Sequence, residues 1–175
     1  MNSKVFISPH NDDEVLFGAY IIMKEKPPVI ICTDSYSQKD NLLIRRNETR
    51  EAMNLLGVEV FFLGIPDVLD DLTFKRVLKI KLERLGITGK VYAPNTDCSN
   101  IQHKIVGEVA KELFDTIAYD TYKNSWGATG IGEKVEYTPA MKKLKVEAML
   151  LYRSQIERER TTKHFERASD EYISS

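Results

Sequence analysis

The stretch Ser8-Pro9-His10-Asn11-Asp12-Asp13-Glu14 decides how the chain folds. It follows a short apolar run, Val5–Ile7, that is typical of a buried strand, and it precedes a helical pattern with a broad apolar face. His10, Asp12 and Asp13 therefore lie at the carboxyl end of a first strand, the edge at which open α/β sheets bind ligands. Removing an imidazole and two carboxylates from water is costly, and a bound divalent metal would offset that cost.

The composition is that of an ordinary globular protein. The 175 residues suit one domain, and they are 42% hydrophobic and 29% charged with a formal net charge of −1. There is no basic excess to indicate nucleic acid, and no apolar run reaches the roughly 20 residues that cross a bilayer. Because Met1–Lys4 leads straight into the first strand, we expect no leader segment. Two cysteines, Cys32 and Cys98, are too few for a disulfide framework, so we expect free thiols in a reducing cytoplasm.

Strand and helix patterns alternate along the first two thirds of the chain. The further predicted strands are Val29–Cys32, Val58–Leu63, Val91–Ala93 and Thr116–Tyr119. The helices predicted between them run over about Asp40–Leu56, from Asp70 or Asp71 to Leu85, and over about Ile101–Phe114. This alternation predicts a Rossmann-like, three-layer α/β/α fold with a mostly parallel sheet of five or six strands.

The regular alternation stops after Tyr122. The later patterns predict a glycine-rich loop, an edge strand and two helices, over 124–132, Lys134–Tyr137, Pro139 to about Arg158 and about Thr161–Ile173. No repeat or linker divides the chain. We therefore interpret residues 1–175 as a single domain, with a core of about 4–122 and the later elements over about 123–175.

A second histidine completes a candidate metal site. His103 lies in the first turn of the helix after the fourth strand, whereas His164 lies in the charged last helix. Two imidazoles, one carboxylate and a water form a known catalytic zinc arrangement, and the remaining carboxylate can act as a general base. The spacing does not say whether Asp12 or Asp13 binds the metal. For each residue alone a structural role is the alternative, because acidic residues cap helices and a histidine at a helix start is often a surface residue.

The sequence resembles the LmbE-like, or PIG-L, family of zinc-dependent N-acetylglucosamine deacetylases. The family signature is a strand followed by Pro-His-Pro-Asp-Asp-Glu, and Pro9–Glu14 matches it everywhere except at Asn11, where the family has proline. The resemblance extends from Val5 to about Gln155. Supporting motif matches are Arg45 with Glu48, Leu56 with Gly57, Leu63 and Gly64 with Asp67, and Lys145 with Arg153-Ser154-Gln155.

The resemblance implies His10, Asp13 and His103 as ligands of Zn²⁺, with another divalent transition metal also compatible, and Asp12 as the general base. The implied reaction is hydrolysis of the acetyl amide of an N-acetylglucosamine-type sugar or glycoconjugate by a water that zinc activates.

The chain departs from the family in a second motif, which is His-x-Asp-His before a helix. The same places here read Asn100-Ile101-Gln102-His103. Asn100 replaces the histidine that in the family helps to stabilise the oxyanion, and it would donate one hydrogen bond there. Gln102 replaces an acid that orients a ligand or the base. Losing one oxyanion donor costs about 10²–10³ in rate in other hydrolases. The alternative function is therefore a catalytically weakened or non-catalytic relative that binds a sugar or nucleotide.

Four further residues are candidate substrate contacts, namely Arg45, Asp67, Asn95 and Trp126. Arg45 and Asp67 would bind sugar hydroxyls or phosphate, although a structural ion pair or a helix cap explains them equally well. Asn95 and Trp126 lie on loops, where Trp126 would stack on a sugar ring or simply pack within its loop. The short chain predicts a shallow pocket, which suits a large substrate or walls supplied by another subunit of a homo-oligomer.

Overall fold

The computed structural model describes residues 4–36, 42–121, 132–156 and 170–174. The strands over these residues are β1 (Val5–Ser8), β2 (Val29–Asp34), β3 (Val60–Pro66), β4 (Val91–Pro94), β5 (Thr116–Tyr119), β6 (Glu133–Lys134) and β7 (Tyr172–Ser174). The helices are α1 (Asp13–Glu25), α2 (Leu42–Leu56), α3 (Asp71–Glu83), α4 (Ile101–Leu113), α5 (Pro139–Met149) and α6 (Arg153–Ile156). Among these, no helix has both the length and the apolar character needed to cross a membrane.

The direction of winding reverses between β1 and β4. The seven strands lie in the order β3-β2-β1-β4-β5-β7-β6. The first five strands in that order pair in parallel. The chain therefore winds outward on both sides of the β1–β4 pair, which leaves a crevice at the carboxyl ends of these two strands. The residues after β1 and those at the start of α4 border this crevice.

Helices cover both faces of the sheet. Phe6 and Tyr92 face one core layer with α1, α2 and α5, whereas Ile7 and Val91 face a second layer with α3 and α4. Every residue of β1, β2 and β4 is buried, which is why their apolar runs do not alternate. The predicted three-layer α/β/α fold with a mostly parallel sheet is confirmed.

The chain after residue 132 differs from the sequence predictions. Over the described residues the sheet has seven strands rather than five or six, because β7 lies between β5 and β6 and runs antiparallel to both. The helix predicted up to Ile173 is wrong at Tyr172 and Ile173, which belong to β7, and residues 161–169 of the predicted helix lie outside the described residues. Most of the glycine-rich loop also lies outside them. The helix expected to reach Arg158 ends at Met149, since the chain turns there to bury Tyr152 before α6 begins.

A buried ion pair holds α1 against the later part of the chain. Nζ of Lys145 donates to Oε1 of Glu171 at 2.7 Å and to the carbonyl of Leu16 at 2.9 Å. The carboxylate of Glu171 accepts the N–H of Tyr20 at 2.9–3.0 Å. The Leu16 carbonyl and the Tyr20 N–H are partners in an ordinary helical turn, so the ion pair engages α1 within its own hydrogen-bond ladder. Both charges are thereby paired and hydrogen-bonded, as buried charges must be.

Gly18 determines how closely α1 packs on β1. A Cβ at this position would lie 2.2 Å from Cζ of Phe6. The Phe6 ring is itself stacked on Tyr119, with ring centroids 4.6 Å apart, and cannot easily move aside. The missing side chain therefore permits a close approach that fixes the start of α1 relative to β1.

We expect Gly18→Ala to lower the free energy of unfolding by about 1–3 kcal/mol, because the added methyl overpacks the Phe6 ring. Urea denaturation measures the loss. The double variant Gly18→Ala/Phe6→Leu should lose less than the sum of the two single variants, since the smaller side chain leaves room for the methyl. A neutral or stabilising Gly18→Ala, as at an unobstructed helical position where alanine is favoured, would contradict this account of the packing.

Candidate metal centre

Three side-chain atoms converge in the crevice between β1 and β4. Nδ1 of His10 lies 2.9 Å from Oδ2 of Asp13 and 3.1 Å from Nε2 of His103. The same Nε2 lies 3.0 Å from Oδ2 of Asp13. His10 comes from the loop after β1, Asp13 begins α1, and His103 lies in the first turn of α4. The fold therefore brings together the three residues that the sequence suggested as metal ligands.

The donor atoms and their spacing fit a divalent cation. Zinc binds imidazole nitrogen and carboxylate oxygen at about 2.0–2.2 Å, so its tetrahedral ligand atoms lie roughly 3.3 Å apart. The three atoms here are mutually within 3.1 Å. Asp13 and His103 are buried, whereas the His10 side chain is 23% exposed and leaves the cluster accessible from one side. Two imidazoles and a carboxylate can thus hold a divalent transition metal and leave a fourth position for water.

Nearby positive charge stabilises the buried carboxylate of Asp13 in this cluster. Burial alone would raise the pKa of Asp13, but His103 and His10 hold that pKa well below its usual range. Burial lowers the pKa of His103, yet Asp13 overcomes this and raises it to about 9. Without a metal, a proton on His103 balances the buried carboxylate. A metal ion would take the place of that proton, because ligating imidazoles are neutral.

Gln102 orients the imidazole of His10. Oε1 of Gln102 lies 2.6 Å from Nε2 of His10 and accepts a hydrogen bond from it, which leaves Nδ1 to face the cluster. The amide of Gln102 is fixed in turn, because its Nε2 donates to the carbonyl of Asp67 at 2.9 Å. Metal-binding histidines commonly have such an outer hydrogen bond, which fixes the tautomer and the ring orientation. Of the two roles suggested by sequence for Gln102, the geometry favours orienting a ligand.

Asp12 lies beside the three converging atoms and outside their set. Its backbone has φ of 106°, a conformation that residues with side chains rarely adopt. Its Oδ2 lies 3.3 Å from Nη2 of Arg45, and its side chain is 15% exposed. Burial raises the pKa of Asp12 to about 6, although Arg45 opposes the rise. A carboxylate that titrates near neutral pH can accept and return a proton, as a general base must.

Glu14 holds, from inside the fold, the loop between β1 and α1 that carries His10 and Asp12. It is fully buried, and its Oε2 accepts the N–H of Asp12 at 3.0 Å and contacts the hydroxyl of Ser8 at 3.2 Å. The hydroxyl of Tyr152 donates to its Oε1. Burial raises the pKa of Glu14 to about 8. Sequence reasoning gave Glu14 no role, although an acid shortly after a helix N-cap is a known sign of reciprocal capping.

Two of the predicted substrate contacts hydrogen-bond to nearby loops. Arg45 is buried, and its guanidinium also donates to the carbonyl of Asn11, so it points at the loop between β1 and α1. Asp67 is half-buried, and its Oδ1 accepts the N–H of Tyr36 at 3.0 Å. Both residues lie at the carboxyl edge as expected. Their contact with a substrate stays a prediction.

The remaining predicted residues lie near the ends of β4 and β5 or outside the described chain. Nδ2 of Asn95 donates to Oδ1 of Asp120 at 2.8 Å. Asn100 is the N-cap of α4, and its Oδ1 accepts the N–H of Gln102 at 2.9 Å. Trp126 lies outside the described residues. The predicted roles of Asn95 and Asn100 toward a substrate are not tested by these contacts.

Removing the outer hydrogen bond to His10 should weaken metal binding. We expect Gln102→Leu to lower metal affinity about 10- to 100-fold, the usual cost of losing such a partner. Gln102→Glu keeps an acceptor and should retain more of the affinity. Competition with a chromophoric chelator measures the affinity. Equal affinities for Gln102→Leu and the parent protein would show that Gln102 does not orient His10.

Metal affinity should depend on pH through the proton on His103. Because that proton must leave before the imidazole can bind metal, the apparent affinity should rise with pH up to about 9 and fall by up to about tenfold per unit below it. Cobalt titrations between pH 6.5 and 8.5 would measure the slope. A flat profile over this range would contradict the pairing of His103 with Asp13.

The fold is shared with solved structures of low sequence identity. The A40926 pseudoaglycone deacetylase Dbv21 matches with a TM-score of 0.73 at 18% identity, covering 89% of this chain and 83% of Dbv21. The zinc-inhibited form of teicoplanin deacetylase Orf2 matches with a TM-score of 0.63 at 16% identity, covering 88% and 85%. GalB, the 4-carboxy-2-hydroxymuconate hydratase from Pseudomonas putida KT2440, matches with 0.59 at 16%, covering 95% and 84%. One fold therefore serves both deacetylases and a hydratase.

The amino-acid sequence gives a more specific result than the fold. A search of curated proteins finds no significant match. The family model described as "PIG-L: GlcNAc-PI de-N-acetylase" matches residues 5–114, which is more than half of the 175-residue chain. The matched segment runs from β1 through α4 and includes His10, Asp13 and His103. The resemblance inferred from the motifs is thereby confirmed, and this chain belongs to the PIG-L, GlcNAc-PI de-N-acetylase, family.

Proposed function

We propose that this protein is a zinc-dependent deacetylase of an N-acetylglucosamine-type sugar or glycoconjugate. The observation that carries the proposal is the convergence of His10, Asp13 and His103, whose ligand atoms lie within 3.1 Å of one another. Asp12 stands next to this set without being part of it. Membership of a de-N-acetylase family supports an N-acetyl group as the target.

A bound cation, Asp12 and Arg45 have separate roles in the proposed amide hydrolysis. A divalent cation supplies Lewis acidity when bound, which lowers the pKa of water to about 7 and polarises a carbonyl. Asp12 accepts the proton of the attacking water and then returns it to the departing amine. Its pKa of about 6 suits both transfers near neutral pH. Arg45, 3.3 Å from Oδ2 of Asp12, holds that carboxylate in place.

Asn100 is the proposed donor to the substrate carbonyl oxygen as negative charge develops there. The hydrogen bonds of its side chain to other described residues use Oδ1, which caps α4. Its amide protons therefore stay available to the substrate. Asp67, Asn95 and Trp126 are the proposed contacts for sugar hydroxyls and the sugar ring. We also propose a cytoplasmic location, which the two free thiols support.

Two other functions have specific support. Asn100 stands where the family has histidine, which favours a weakened enzyme or a protein that only binds a sugar or nucleotide. The shared fold of GalB favours hydration of a carbon–carbon double bond as a second enzymatic candidate. Release of free amine from N-acetylated sugars separates a deacetylase, whether fully active or weakened, from a protein that only binds and from a hydratase, because neither binding nor hydration produces an amine. The rate of amine release then distinguishes a weakened enzyme from a fully active one.

The two neighbouring aspartates should respond differently to substitution. Asp12→Asn should keep the metal and lower turnover by about 10²–10⁴, the usual contribution of a general base. Asp13→Asn should lose the metal, because it removes an anionic ligand. Metal content by elemental analysis and amine release by fluorescamine, across N-acetylated sugars and glycoconjugates, measure the two effects.

The metal itself provides the control. Chelation should abolish amine release by the parent protein, and added zinc should restore it. If Asp12→Asn lost metal while Asp13→Asn kept it, the two roles would be reversed. A metal-loaded parent protein that releases no amine from any of these substrates would overturn the deacetylase proposal.

A further inference from the structure

We propose that Asn11 and Thr49 are positioning residues that, together with Tyr152 and Glu14, hold the backbone of Asp12 beside the metal ligands. The role of Asp12 as base rests on the proposed function, whereas the geometry of the loop does not. Sequence reasoning assigned none of these four residues to the site. Each is buried, with an exposed fraction of 2% or less.

Two hydrogen bonds join helix α2 to Asn11. Nδ2 of Asn11 donates to Oγ1 of Thr49 at 2.7 Å. The main-chain carbonyl of Asn11 accepts a hydrogen bond from the guanidinium of Arg45. Arg45 and Thr49 lie four positions apart on α2 and so share one face of that helix. The residue immediately before Asp12 is therefore fixed through both its side chain and its main chain.

Further hydrogen bonds hold the main chain of Asp12 itself. They begin at the hydroxyl of Tyr152, where Thr49 acts to lower the pKa against the effect of burial. That hydroxyl donates to Oε1 of Glu14, and Oε2 of Glu14 accepts the N–H of Asp12 at 3.0 Å. Since Asp12 follows Asn11 in the chain, these contacts hold both sides of the peptide that joins them, and we call this set of contacts the ring. The hydroxyl of Thr49 accepts the hydrogen bond from Asn11, so removing it releases the Asn11 side chain.

The conformation of Asp12 explains why such a ring is needed. With φ of 106°, Asp12 lies in a region that a non-glycine residue holds only when its surroundings over-determine it. The family signature places proline at position 11, where the pyrrolidine ring of the proline would fix φ of that residue through covalent geometry. Asn11 has no such constraint. Its hydrogen bond to Thr49 supplies the restraint by a different means.

The alternative is that the ring only stabilises the fold, as any satisfied buried network does. A purely structural role would lower the free energy of unfolding and leave metal affinity and kcat unchanged in the folded protein. If these residues position the loop, a substitution displaces His10 and Asp12, so metal affinity and kcat fall together while KM changes little. The two roles therefore predict different measurements.

Substitutions at Thr49 distinguish them. Thr49→Val keeps the shape and removes the hydroxyl, and we expect it to lower zinc affinity about tenfold and kcat by about 10²-fold. Thr49→Ser keeps the hydroxyl and should restore both to within about threefold of the parent protein. The visible spectrum of the cobalt-substituted protein should change in Thr49→Val and not in Thr49→Ser. Zinc competition, steady-state kinetics on the best N-acetylated sugar and cobalt spectra provide the readouts.

A matched control separates loss of stability from loss of position. Leu82 is fully buried in the layer formed by α3 and α4, and Leu82→Val destabilises the protein without touching the loop. At a comparable urea midpoint, it should keep the zinc affinity and the cobalt spectrum of the parent. If Thr49→Val behaved like Leu82→Val, or if Thr49→Ser did not rescue, the ring would be structural only.

A double-mutant cycle tests the first contact of the ring directly. Asn11→Ala and Thr49→Val remove the same hydrogen bond, so the double variant should bind zinc no more weakly than the worse single variant. Additive losses would overturn the proposed coupling. If the parent protein released no amine, the deacetylase proposal would fail, yet the zinc affinities and cobalt spectra would still decide the proposal for Thr49.

Discussion

The fold buries the carboxylate of Asp13, which must be paired with positive charge because it has been removed from water. Asp13 is 2% exposed, and its Oδ2 lies 2.9–3.0 Å from ring nitrogens of both His10 and His103. A buried carboxylate without a partner costs several kcal/mol by rough estimate. Either a proton shared with the imidazoles or a metal ion meets that cost. Because the second solution releases the proton, the resting cluster is already arranged for exchange with a divalent cation.

The order of the strands makes this arrangement possible. The two imidazoles lie 93 residues apart in the chain, yet β1 and β4 are neighbours because the winding reverses between them. Surrounding elements then hold the loop that carries His10 and Asp12. The loop after β3 holds Gln102, which orients His10, and α2 holds the residue before Asp12. Neutral amides from Gln102 and Asn11 supply two of these restraints, at places where the family motifs have an acid and a proline.

The sequence predicted that His10, Asp13 and His103 lie at one edge of the sheet, because the carboxyl ends of parallel strands meet there, and the structure brings these three residues together. Their role as metal ligands stays a prediction. The sequence did not predict the residues that hold the loop. Tyr152 reaches Glu14 across 138 positions, and a hydrogen bond over that separation has no local signature. The direction of Arg45, toward Asn11 rather than outward, also depends on tertiary packing. The sequence pattern predicts a helix where the last strand begins. Tyr172–Ser174 forms a strand because it pairs with β5 and β6, and this pairing is not visible in the local sequence.

The ion pair between Lys145 and Glu171 has a consequence for biosynthesis. Helix α1 is synthesised before the groups that contact its Leu16 carbonyl and Tyr20 N–H, because those groups belong to Lys145 and Glu171. The nascent chain can collapse around β1 and β2, as domains tend to do from the amino end. It cannot fully seat α1 until residue 171 has emerged. The start of α1, which carries Asp13, is therefore expected to reach its final position only after residue 171 has been translated.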